Sequence, residues 1–326
     1  MISISLKNMV VNQGTFIFNM AKVFAICISE KRGIQKHPVD AVVLKEHHGI
    51  VGDAHADNWH RQISILDKKD IDDFNARGAN VFPGAFGENL ILEGLDLKQL
   101  AMRDRIQVGE AILELSQKGK ECHTHCQIYH KMGECIMPIK GIFFEVVQGG
   151  KVQVGNEVKK IDYPNKPFTA AVLTISDRCF NKVQEDLSGP TISKRLNKEG
   201  YQVIEEVLLP DNLELIKKEL IRLCDQREVD LILTTGGTGF SSRDVTPEAT
   251  LAVMERNVPG ISEVIRAESM KITKHAMLSR AMSVIREKTL IINLPGSPKA
   301  CTEAMDVFLD TIPHGLRLLK GEKVDK

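Results

Sequence analysis

The stretch that decides the fold is Leu231-Ile-Leu-Thr-Thr-Gly-Gly-Thr-Gly239, which is soon followed by Arg243-Asp-Val-Thr-Pro-Glu-Ala249. A short apolar run bounded by turn residues is typical of a buried strand rather than a helix. The glycines that follow let the backbone turn sharply and bring its N–H groups close to a ligand. Thr246 suits a helix N-cap and Pro247 suits the first helical position, so we expect a helix directly after the loop.

This strand–loop–helix unit predicts an anion site, most naturally for phosphate, because backbone donors and a helix N-terminus converge there. The loop is neither G-x-x-x-x-G-K-[ST] nor G-x-G-x-x-G, so it indicates neither a P-loop nor a dinucleotide fingerprint. The glycines alone could serve as a plain connection between strand and helix. Asp244 favours a ligand site, because a carboxylate beside a phosphate needs a cation between them, such as the Mg²⁺ of a nucleotide.

Length and composition indicate an ordinary globular protein of about two domains. The chain has 326 residues, a formal net charge of zero, 43% hydrophobic residues and 26% charged residues. Zero net charge gives no support to nucleic-acid or membrane-surface binding, and no apolar run approaches the ~20 residues of a membrane span. Seven cysteines without disulfide-like spacing favour a cytoplasmic protein. Residues 1–21 are expected to be a disordered extension, of which 1–19 could precede the true start at Met20.

The two halves of the chain have different patterns, separated by a proline-containing linker at 162–167. Residues 22–161 contain short, glycine-bounded strands and one clear helix, which predicts a mostly-β barrel or sandwich. In residues 168–326 strands alternate with helices, which predicts an α/β domain whose mainly parallel sheet is sandwiched by helices. The predicted strands are 22–29, 39–44, 62–66, 89–92, 105–108, 111–116 and 141–147 in the first half, and 168–175, 201–208, 231–235 and 290–294 in the second. The predicted helices include 68–77, 188–199 and 212–226.

A parallel sheet would bring the polar residues that follow its strands to one edge. Ser176 and Asp177 follow the first strand of the second half, Asp211 the second, and Gly296 and Ser297 the last. Acidic residues at two strand ends, near a phosphate loop, favour magnesium chemistry. Asp211 alone could instead cap the helix that follows it.

The second half contains seven motifs in a fixed order: Thr174-Ile-Ser-Asp177, Asp186-x-Ser-Gly-Pro190, Leu209-Pro-Asp211, Thr234-Thr-Gly-Gly-Thr-Gly239, Arg243-Asp-Val-Thr-Pro-Glu-Ala249, Ala276-Met-Leu-Ser-Arg280 and Leu294-Pro-Gly-Ser-Pro298. Taken together, these motifs resemble the molybdopterin adenylyltransferase family. The resemblance covers about Thr169 to Lys320, with the motifs in the family's order.

This resemblance implies transfer of AMP from Mg²⁺-ATP to the terminal phosphate of molybdopterin, with release of pyrophosphate. It places the catalytic, Mg²⁺-binding aspartates at Asp211 and Asp244. It also implies a homo-oligomer, trimeric or hexameric. The residues expected to bind the nucleotide are Gly236, Gly237, Thr238, Gly239, Pro295, Gly296 and Ser297, and those expected to bind the pterin are Ser176, Asp177, Ser279 and Arg280.

In the first half, the segment richest in side chains that can react or bind a metal is Gly119-Lys-Glu-Cys-His-Thr-His-Cys126. Its spacing is poor for structural zinc, because a second C-x₂-C pair is missing. A reactive thiolate is another interpretation, since Cys122 lies near Lys120 and two histidines, and a third is that these are ordinary scattered cysteines. The side chains that a metal could use are Cys122, His123, His125, Cys126, His130 and Cys135.

Four further motifs of the first half are Gly49-Ile-Val-Gly-Asp-Ala-His-Ala56, Trp59-His-Arg-Gln-Ile-Ser64, Pro83-Gly-Ala-Phe-Gly-Glu-Asn-Leu90 and Gln107-Val-Gly-Glu-Ala111. They resemble the MOSC domain, the module named after the C-terminal domain of molybdenum-cofactor sulfurase, over about Lys22 to Lys160. The resemblance implies a β-barrel that binds molybdenum cofactor or carries sulfur to it as a persulfide, with Cys122 as the key cysteine. The additional thiols Cys126 and Cys135 depart from the family pattern. The polar turn residues of the four motifs, Asp53, His55, Arg61, Glu88 and Asn89, could line a pocket, or each could bond its own turn.

Both halves therefore point to molybdenum cofactor biosynthesis, with molybdopterin and ATP as ligands and a molybdate-inserting enzyme or a sulfur donor as candidate protein partners. One alternative is a non-catalytic carrier of molybdopterin or molybdenum cofactor, and another is a zinc-stabilised regulatory protein. Asp211 and Asp244 favour the enzyme, because a carrier has no need of a magnesium pair.

Overall fold

The computed structural model describes residues 20–122, 126–164 and 166–322, which form two domains. The expected extension before Met20, together with His123 and His125, lies outside the described residues. None of the described helices has the length and apolar character needed to span a bilayer.

The first domain is built mainly from short strands. Its strands are β1 (Lys22–Ile28), β2 (His37–Val39), β3 (Ala41–Lys45), β4 (Gly49–Ile50), β5 (Ile63–Asp67), β6 (Leu90–Glu93), β7 (Arg105–Val108), β8 (Ala111–Lys118), β9 (Ile142–Gln148), β10 (Gly150–Gln153) and β11 (Val158–Ile161). Its helices are α1 (Lys68–Ala76), α2 (Gln127–Met132) and α3 (Met137–Lys140), with a 3₁₀ turn at Leu97–Gln99.

These strands form one eight-stranded and one three-stranded sheet, in the orders β11-β7-β8-β9-β5-β6-β1-β2 and β10-β3-β4. Ile26, Ile63, Leu90 and Phe144 are fully buried in the core between them. Within the described residues no regular strand pairing closes the large sheet, although a bridge between Lys22 and Glu157 and three backbone hydrogen bonds between residues 21–23 and 155–158 link it near its two ends. A mostly-β domain is therefore observed, and a closed barrel is not confirmed.

Three sequence expectations for this domain were wrong in detail. The strand expected at 39–44 is two strands, β2 and β3, interrupted at Asp40. The helices α2 and α3 were not expected, because each is too short to show a helical apolar period. The strands β10 and β11 were also missed. Each has only one buried residue, and β10 forms by pairing with β3 and β11 by pairing with β7.

The second domain alternates strands and helices, as expected. Its strands are β12 (Thr169–Ile175), β13 (Gln202–Leu209), β14 (Leu231–Thr235), β15 (Arg256–Asn257), β16 (Ser283–Arg286) and β17 (Thr289–Leu294). Its helices are α4 (Asp177–Phe180), α5 (Ser188–Lys198), α6 (Leu213–Ile221), α7 (Thr246–Ala252), α8 (Pro259–Ile272), α9 (Pro298–Phe308) and α10 (Ile312–Leu319). A π-helical turn (Arg222–Gln226) extends α6, and a 3₁₀ turn (Lys274–Leu278) follows α8.

The sheet order is β13-β12-β14-β17-β16-β15. The first four strands are parallel, β16 is antiparallel to β17, and β15 is antiparallel to β16. Alternate residues of β12 face two separate cores: Val172 packs in one, and Leu173 and Ile175 pack in the other. Apolar side chains on both faces are what a sheet covered by helices on each side requires. The mainly parallel sheet is thus observed, with an antiparallel edge that sequence reasoning missed.

Candidate functional site

The strand ends of the second domain bring the expected polar residues together. The N–H of Asp177 donates to the carboxylate of Asp211, and the N–H of Asp211 donates to the carboxylate of Asp177, each at 3.0 Å. A Cβ placed on Gly237 would lie 3.2 Å from Oδ1 of Asp211, and one placed on Gly296 would lie 3.5 Å from Cα of Gly236. The ends of β12, β13, β14 and β17 therefore form one continuous rim.

Asp211 is not the cap of the helix that follows it. Asn212 occupies that position, and its side-chain oxygen accepts a hydrogen bond from the N–H of Leu215 at 3.1 Å. Because the neighbouring residue satisfies the helix end, the carboxylate of Asp211 is left to the rim.

The glycine loop after β14 is held in a conformation that favours glycine. Gly236 and Gly237 have φ values of +95° and +63°, and a Cβ on Gly236 would overlap the carbonyl of Ile175. The hydroxyl of Thr246 donates to the carbonyl of Gly236 at 2.9 Å. Thr246 therefore braces the loop as the first residue of α7, and its expected N-cap role was wrong, since Val245 holds that position without a side-chain cap.

Asp244 and Arg280 close the other side of the loop. A carboxylate oxygen of Asp244 accepts from the N–H of Ser241 at 3.0 Å. Nε of Arg280 donates to the carbonyl of Gly239 at 2.7 Å, and its other guanidinium nitrogens bond the backbone carbonyl of Asp244 and the carboxylate of Glu248. Arg280 thus braces the loop, and its expected role toward a pterin phosphate stays a prediction.

Negative charge accumulates at this rim. Partial burial raises the pKa of Asp211, and the neighbouring carboxylates of Asp177 and Asp244 raise this pKa further. No group of three or more histidine, cysteine or acidic side chains that could hold a metal occurs among the described residues. One or two carboxylates fit Mg²⁺ nevertheless, because that ion takes most of its remaining ligands from substrate phosphates and water.

The other expected rim residues already make local hydrogen bonds. The hydroxyl of Ser176 accepts from the N–H of Cys179 at 3.2 Å, that of Ser297 from the N–H of Ala300 at 3.3 Å, and that of Ser279 from the N–H of Ala281 at 3.3 Å. Ser176 and Ser297 cap α4 and α9, which fixes the N-termini of both helices at the rim. The carbonyl of Pro295 accepts from the hydroxyl of Thr235 at 2.6 Å, which holds the ends of β14 and β17 together.

Sequence reasoning assigned no role to Asp186 and Ser188, although their motif was visible. The carboxylate of Asp186 accepts from the N–H groups of Ser188 and Gly189, each at 3.0 Å. The hydroxyl of Ser188 donates to the carbonyl of Gly296 at 3.0 Å, so the start of α5 also reaches the rim.

In the first domain, a cavity of about 420 Å³ is lined by Cys122, Cys126 and Cys135 together with Lys120 and Arg61. Cys122 and Cys126 are exposed and Cys135 is half-buried, and all three are free thiols. Burial raises the pKa of Cys135, and the nearby cysteines Cys126 and Cys122 raise it further. The cavity therefore gathers the thiols that the sequence singled out. Among the described residues they form no metal-binding group, and the zinc interpretation, which also involves His123 and His125, stays untested.

The polar turn residues expected around this cavity divide into two groups. His55, Arg61 and Asn89 line it. Asp53 and Glu88 instead brace the backbone: Asp53 accepts from the N–H of Ser29 at 3.1 Å and of His55 at 2.9 Å, and Glu88 accepts from the N–H of Gly84 at 2.7 Å and of Phe86 at 3.0 Å.

Asp53 also forms a buried ion pair with Lys36, a residue that sequence reasoning missed because a lone lysine in a polar turn carries no signal. Burial alone would raise the pKa of Asp53. Hydrogen bonds from His55 and Lys36 outweigh that effect and hold the pKa well below its usual range.

Comparison with known proteins agrees with both domains. Residues 171–314 match the family described as a probable molybdopterin binding domain, and residues 45–159 match the MOSC domain family. Molybdopterin adenylyltransferase of Helicobacter pylori strain J99 is 43% identical over 152 residues, which are 46% of this chain and 86% of that protein. This chain belongs to the molybdopterin adenylyltransferase family.

Three further proteins are similar to about half of this chain. Molybdopterin adenylyltransferase of Escherichia coli K12 is 37% identical over 168 residues, 47% of this chain and 86% of that protein. The molybdenum cofactor synthesis protein cinnamon of Drosophila melanogaster is 43% identical over 154 residues, but these are only 26% of that protein. A solved structure of the molybdopterin biosynthesis enzyme MoaB from Thermus thermophilus is 40% identical, with 48% of this chain and 99% of that chain covered and a TM-score of 0.46.

Proposed function

We propose that the second domain transfers AMP from Mg²⁺-ATP to the terminal phosphate of molybdopterin and releases pyrophosphate. The observation that carries this proposal is the rim where Asp177, Asp211 and Asp244 stand beside the glycine loop and the N-terminus of α9. Membership of the molybdopterin adenylyltransferase family supports it.

The reaction joins two phosphates, so charge neutralisation and positioning supply most of the catalysis. The N–H groups of Gly236 to Gly239 and of the first turn of α9 would receive the phosphates of the nucleotide. Asp211 and Asp244 would hold Mg²⁺, which supplies neutralising charge at those phosphates when bound. A general base is unnecessary, because the attacking phosphate is already ionised near neutral pH.

An oxygen of the pterin phosphate would attack the α-phosphorus of ATP, as the bond from that phosphorus to pyrophosphate breaks. Ser176, Asp177, Ser279 and Arg280 are proposed to lie on the pterin side. Since Arg280 already bonds Gly239, Asp244 and Glu248, it would act mainly by fixing the loop against which both substrates lie.

The test is pyrophosphate release from ATP by the full chain. We expect release only when molybdopterin and Mg²⁺ are both present, and loss of release when a chelator removes the metal. Binding of molybdopterin without pyrophosphate release at any ATP concentration would favour the carrier alternative.

For the first domain we propose that the thiol cavity binds molybdenum cofactor or carries sulfur to it as a persulfide on Cys122. The support is the cavity that Cys122 shares with Lys120 and Arg61, whose cationic side chains suit an anionic cofactor. Treatment with polysulfide, followed by peptide mass analysis, should add one sulfur atom to the peptide of Cys122. Cys122→Ser should abolish the addition and Cys126→Ser should preserve it, whereas the opposite pattern would assign the role to Cys126.

We also propose a cytoplasmic homo-oligomer, trimeric or hexameric, with a molybdate-inserting enzyme or a sulfur donor as partner. Sedimentation of the purified chain tests the first point. Elemental analysis of the same sample tests the zinc alternative, which requires about one zinc per chain.

A further inference from the structure

The segment that leads to Cys122 is held by the second domain. The carbonyl of Ser116 accepts from the guanidinium of Arg227. Nε2 of Gln117 lies 3.3 Å from Oε1 of Gln226 and donates to it. Nζ of Lys118 forms an ion pair with Glu228 at 2.9 Å. Three consecutive residues of one domain therefore meet three consecutive residues of the other.

The contacts continue toward the thiol. Nε2 of Gln117 also donates to the carbonyl of Gly119 at 2.7 Å, so this side chain links Gln226 to Gly119, three residues before Cys122. Nζ of Lys218, on α6, pairs with Glu121 at 2.8 Å. The next residue is Cys122, and α6 itself begins just after Asp211 on the rim.

A β-bulge explains why the carbonyl of Ser116 is available. The register between β8 and β9 shifts between Leu115 and Gln117, which leaves Ser116 outside the regular ladder. A carbonyl that loses its ladder partner inside a protein needs another donor, and Arg227 provides one. The bulge and the arginine are therefore parts of one arrangement.

Arg227 is the buried centre of this interface. Its side chain is 2% exposed, and its Nε forms an ion pair with Glu205 of β13 at 2.9 Å. Two guanidinium nitrogens of Arg222 also donate to the carboxylate oxygens of Glu205, at 3.1 and 2.6 Å. Both ion pairs lie within the second domain, so they hold the guanidinium of Arg227 where it donates to the carbonyl of Ser116. Removing Arg227 would leave the buried carboxylate of Glu205 with less compensating charge and the carbonyl of Ser116 without this donor. The exposed pair of Lys218 and Glu121 contributes far less.

We propose that Arg227 is a positioning residue for Cys122: it anchors the segment Ser116–Glu121 to the second domain and so holds the thiol at its cavity. The inference rests on the proposed role of Cys122 in the first domain. It predicts that the thiol site depends on residues of the adenylyltransferase domain that touch neither its cavity nor its ligand.

The experiment uses Trp59, the only tryptophan of the chain, which lines the same cavity as Cys122. The full chain, with Cys126→Ser and Cys135→Ser as background, is labelled at Cys122 with bimane, a fluorophore that nearby tryptophan quenches. A Trp59→Phe variant of this background defines the unquenched intensity. The test variants are Arg227→Lys and Lys218→Ala. The matched control is Lys217→Ala, because Lys217 pairs at 3.7 Å with Glu214 of its own helix.

We expect Arg227→Lys to recover at least half of the quenched intensity, Lys218→Ala to recover a smaller part, and Lys217→Ala to leave the intensity unchanged. Full quenching in a folded Arg227→Lys chain would overturn the proposal. If Arg227→Lys does not fold, a double variant with Lys218→Ala and Glu228→Ala, neither of which is at a buried residue, replaces it. Full quenching of the bimane in this double variant would also overturn the proposal. Neither ATP nor molybdopterin is used, so failure of adenylyl transfer would leave this result intact.

Discussion

At the residue scale, Asp244 is the side chain whose loss should separate chemistry from folding. Its carboxylate accepts one hydrogen bond, from the N–H of Ser241 at 3.0 Å, and an asparagine oxygen can accept the same bond. We therefore expect Asp244→Asn to lower the rate of adenylyl transfer by about 100-fold or more, through lost charge at the metal. The free energy of unfolding should change by less than about 0.5 kcal/mol. Turnover close to wild type at saturating Mg²⁺, measured beside thermal unfolding, would contradict a metal-binding role.

Gly237 is needed for both backbone conformation and space. Its φ is +63°, and an added Cβ would meet the hydroxyl of Thr246 and lie 3.2 Å from Asp211. Gly237→Ala should therefore destabilise the domain by at least about 1 kcal/mol and weaken ATP binding more than molybdopterin binding. The matched control is Gly260→Ala, where an added Cβ meets nothing within 4 Å. Equal losses of affinity for both ligands would mean that the loop is structural and does not face the nucleotide.

The seven cysteines should differ sharply in reactivity. Burial raises the pKa of Cys27 and of Cys224 to about 12 and that of Cys301 to about 11, so these thiols stay protonated at pH 8. Burial also raises the pKa of Cys135, so alkylation should reach it after the exposed Cys122 and Cys126. Of these two, Cys122 should react first, because Lys120 lies two residues before it. Mild alkylation with peptide mapping, with and without a chelator, tests this order. Labelling of Cys126 or Cys135 before Cys122 would reassign the key thiol, and labelling only after chelation would favour a metal site.

At the scale of elements, sequence reasoning succeeded where the local signal was strong. The run from Leu231 to Thr235 has the bounds of β14, because a fully buried central strand is apolar at nearly every position. The antiparallel strand β16 was missed, since the four residues Ser283–Arg286 have two adjacent apolar side chains and no alternation with a period of two. Its position is set by pairing with β17, which no short window of sequence contains.

His60 of the first domain, whose Nδ1 lies 3.8 Å from Oε1 of Glu205 on β13, should make the stability of the chain depend on pH. Burial, with the charge of Arg227, lowers the pKa of His60 to about 4 from an ordinary value of 6.5. Between pH 4 and 6.5 the unfolded chain binds a proton at His60 and the folded chain does not, so the free energy of unfolding falls as the pH is lowered through this range. The contribution of His60 to stability is therefore complete above pH 6.5 and is lost as the pH falls toward 4. The full loss is about 3 kcal/mol. We expect His60→Gln to flatten the pH dependence of the unfolding free energy between pH 4 and 6.5, as measured by denaturant titrations at several pH values. The same pH dependence in His60→Gln and in the wild type would contradict this expectation.

At the scale of the whole molecule, the sequence located the rim but not its internal bonds. The rule that ligands bind at the carboxyl ends of parallel strands placed Asp177, Asp211 and the glycine loop together, and they are together. The reciprocal bonds between Asp177 and Asp211, and the bracing of the loop by Arg280, depend on residues 34 to 41 positions apart. The contact of Arg227 with Ser116 could not be predicted for the same reason, because these residues lie 111 positions apart. From sequence alone, an arginine that follows an amphipathic helix is expected at the surface.

If this chain adenylylates molybdopterin, the α-phosphate of ATP must be transferred to the pterin, and a label on that phosphate can be followed. The full chain is mixed with ATP labelled at the α-phosphate, Mg²⁺ and molybdopterin, and the products are separated. We predict that the label appears in a covalent adduct of AMP and molybdopterin, in amounts equal to the pyrophosphate released. Label that remains in ATP, or appears only as free AMP whether or not molybdopterin is present, would contradict the account.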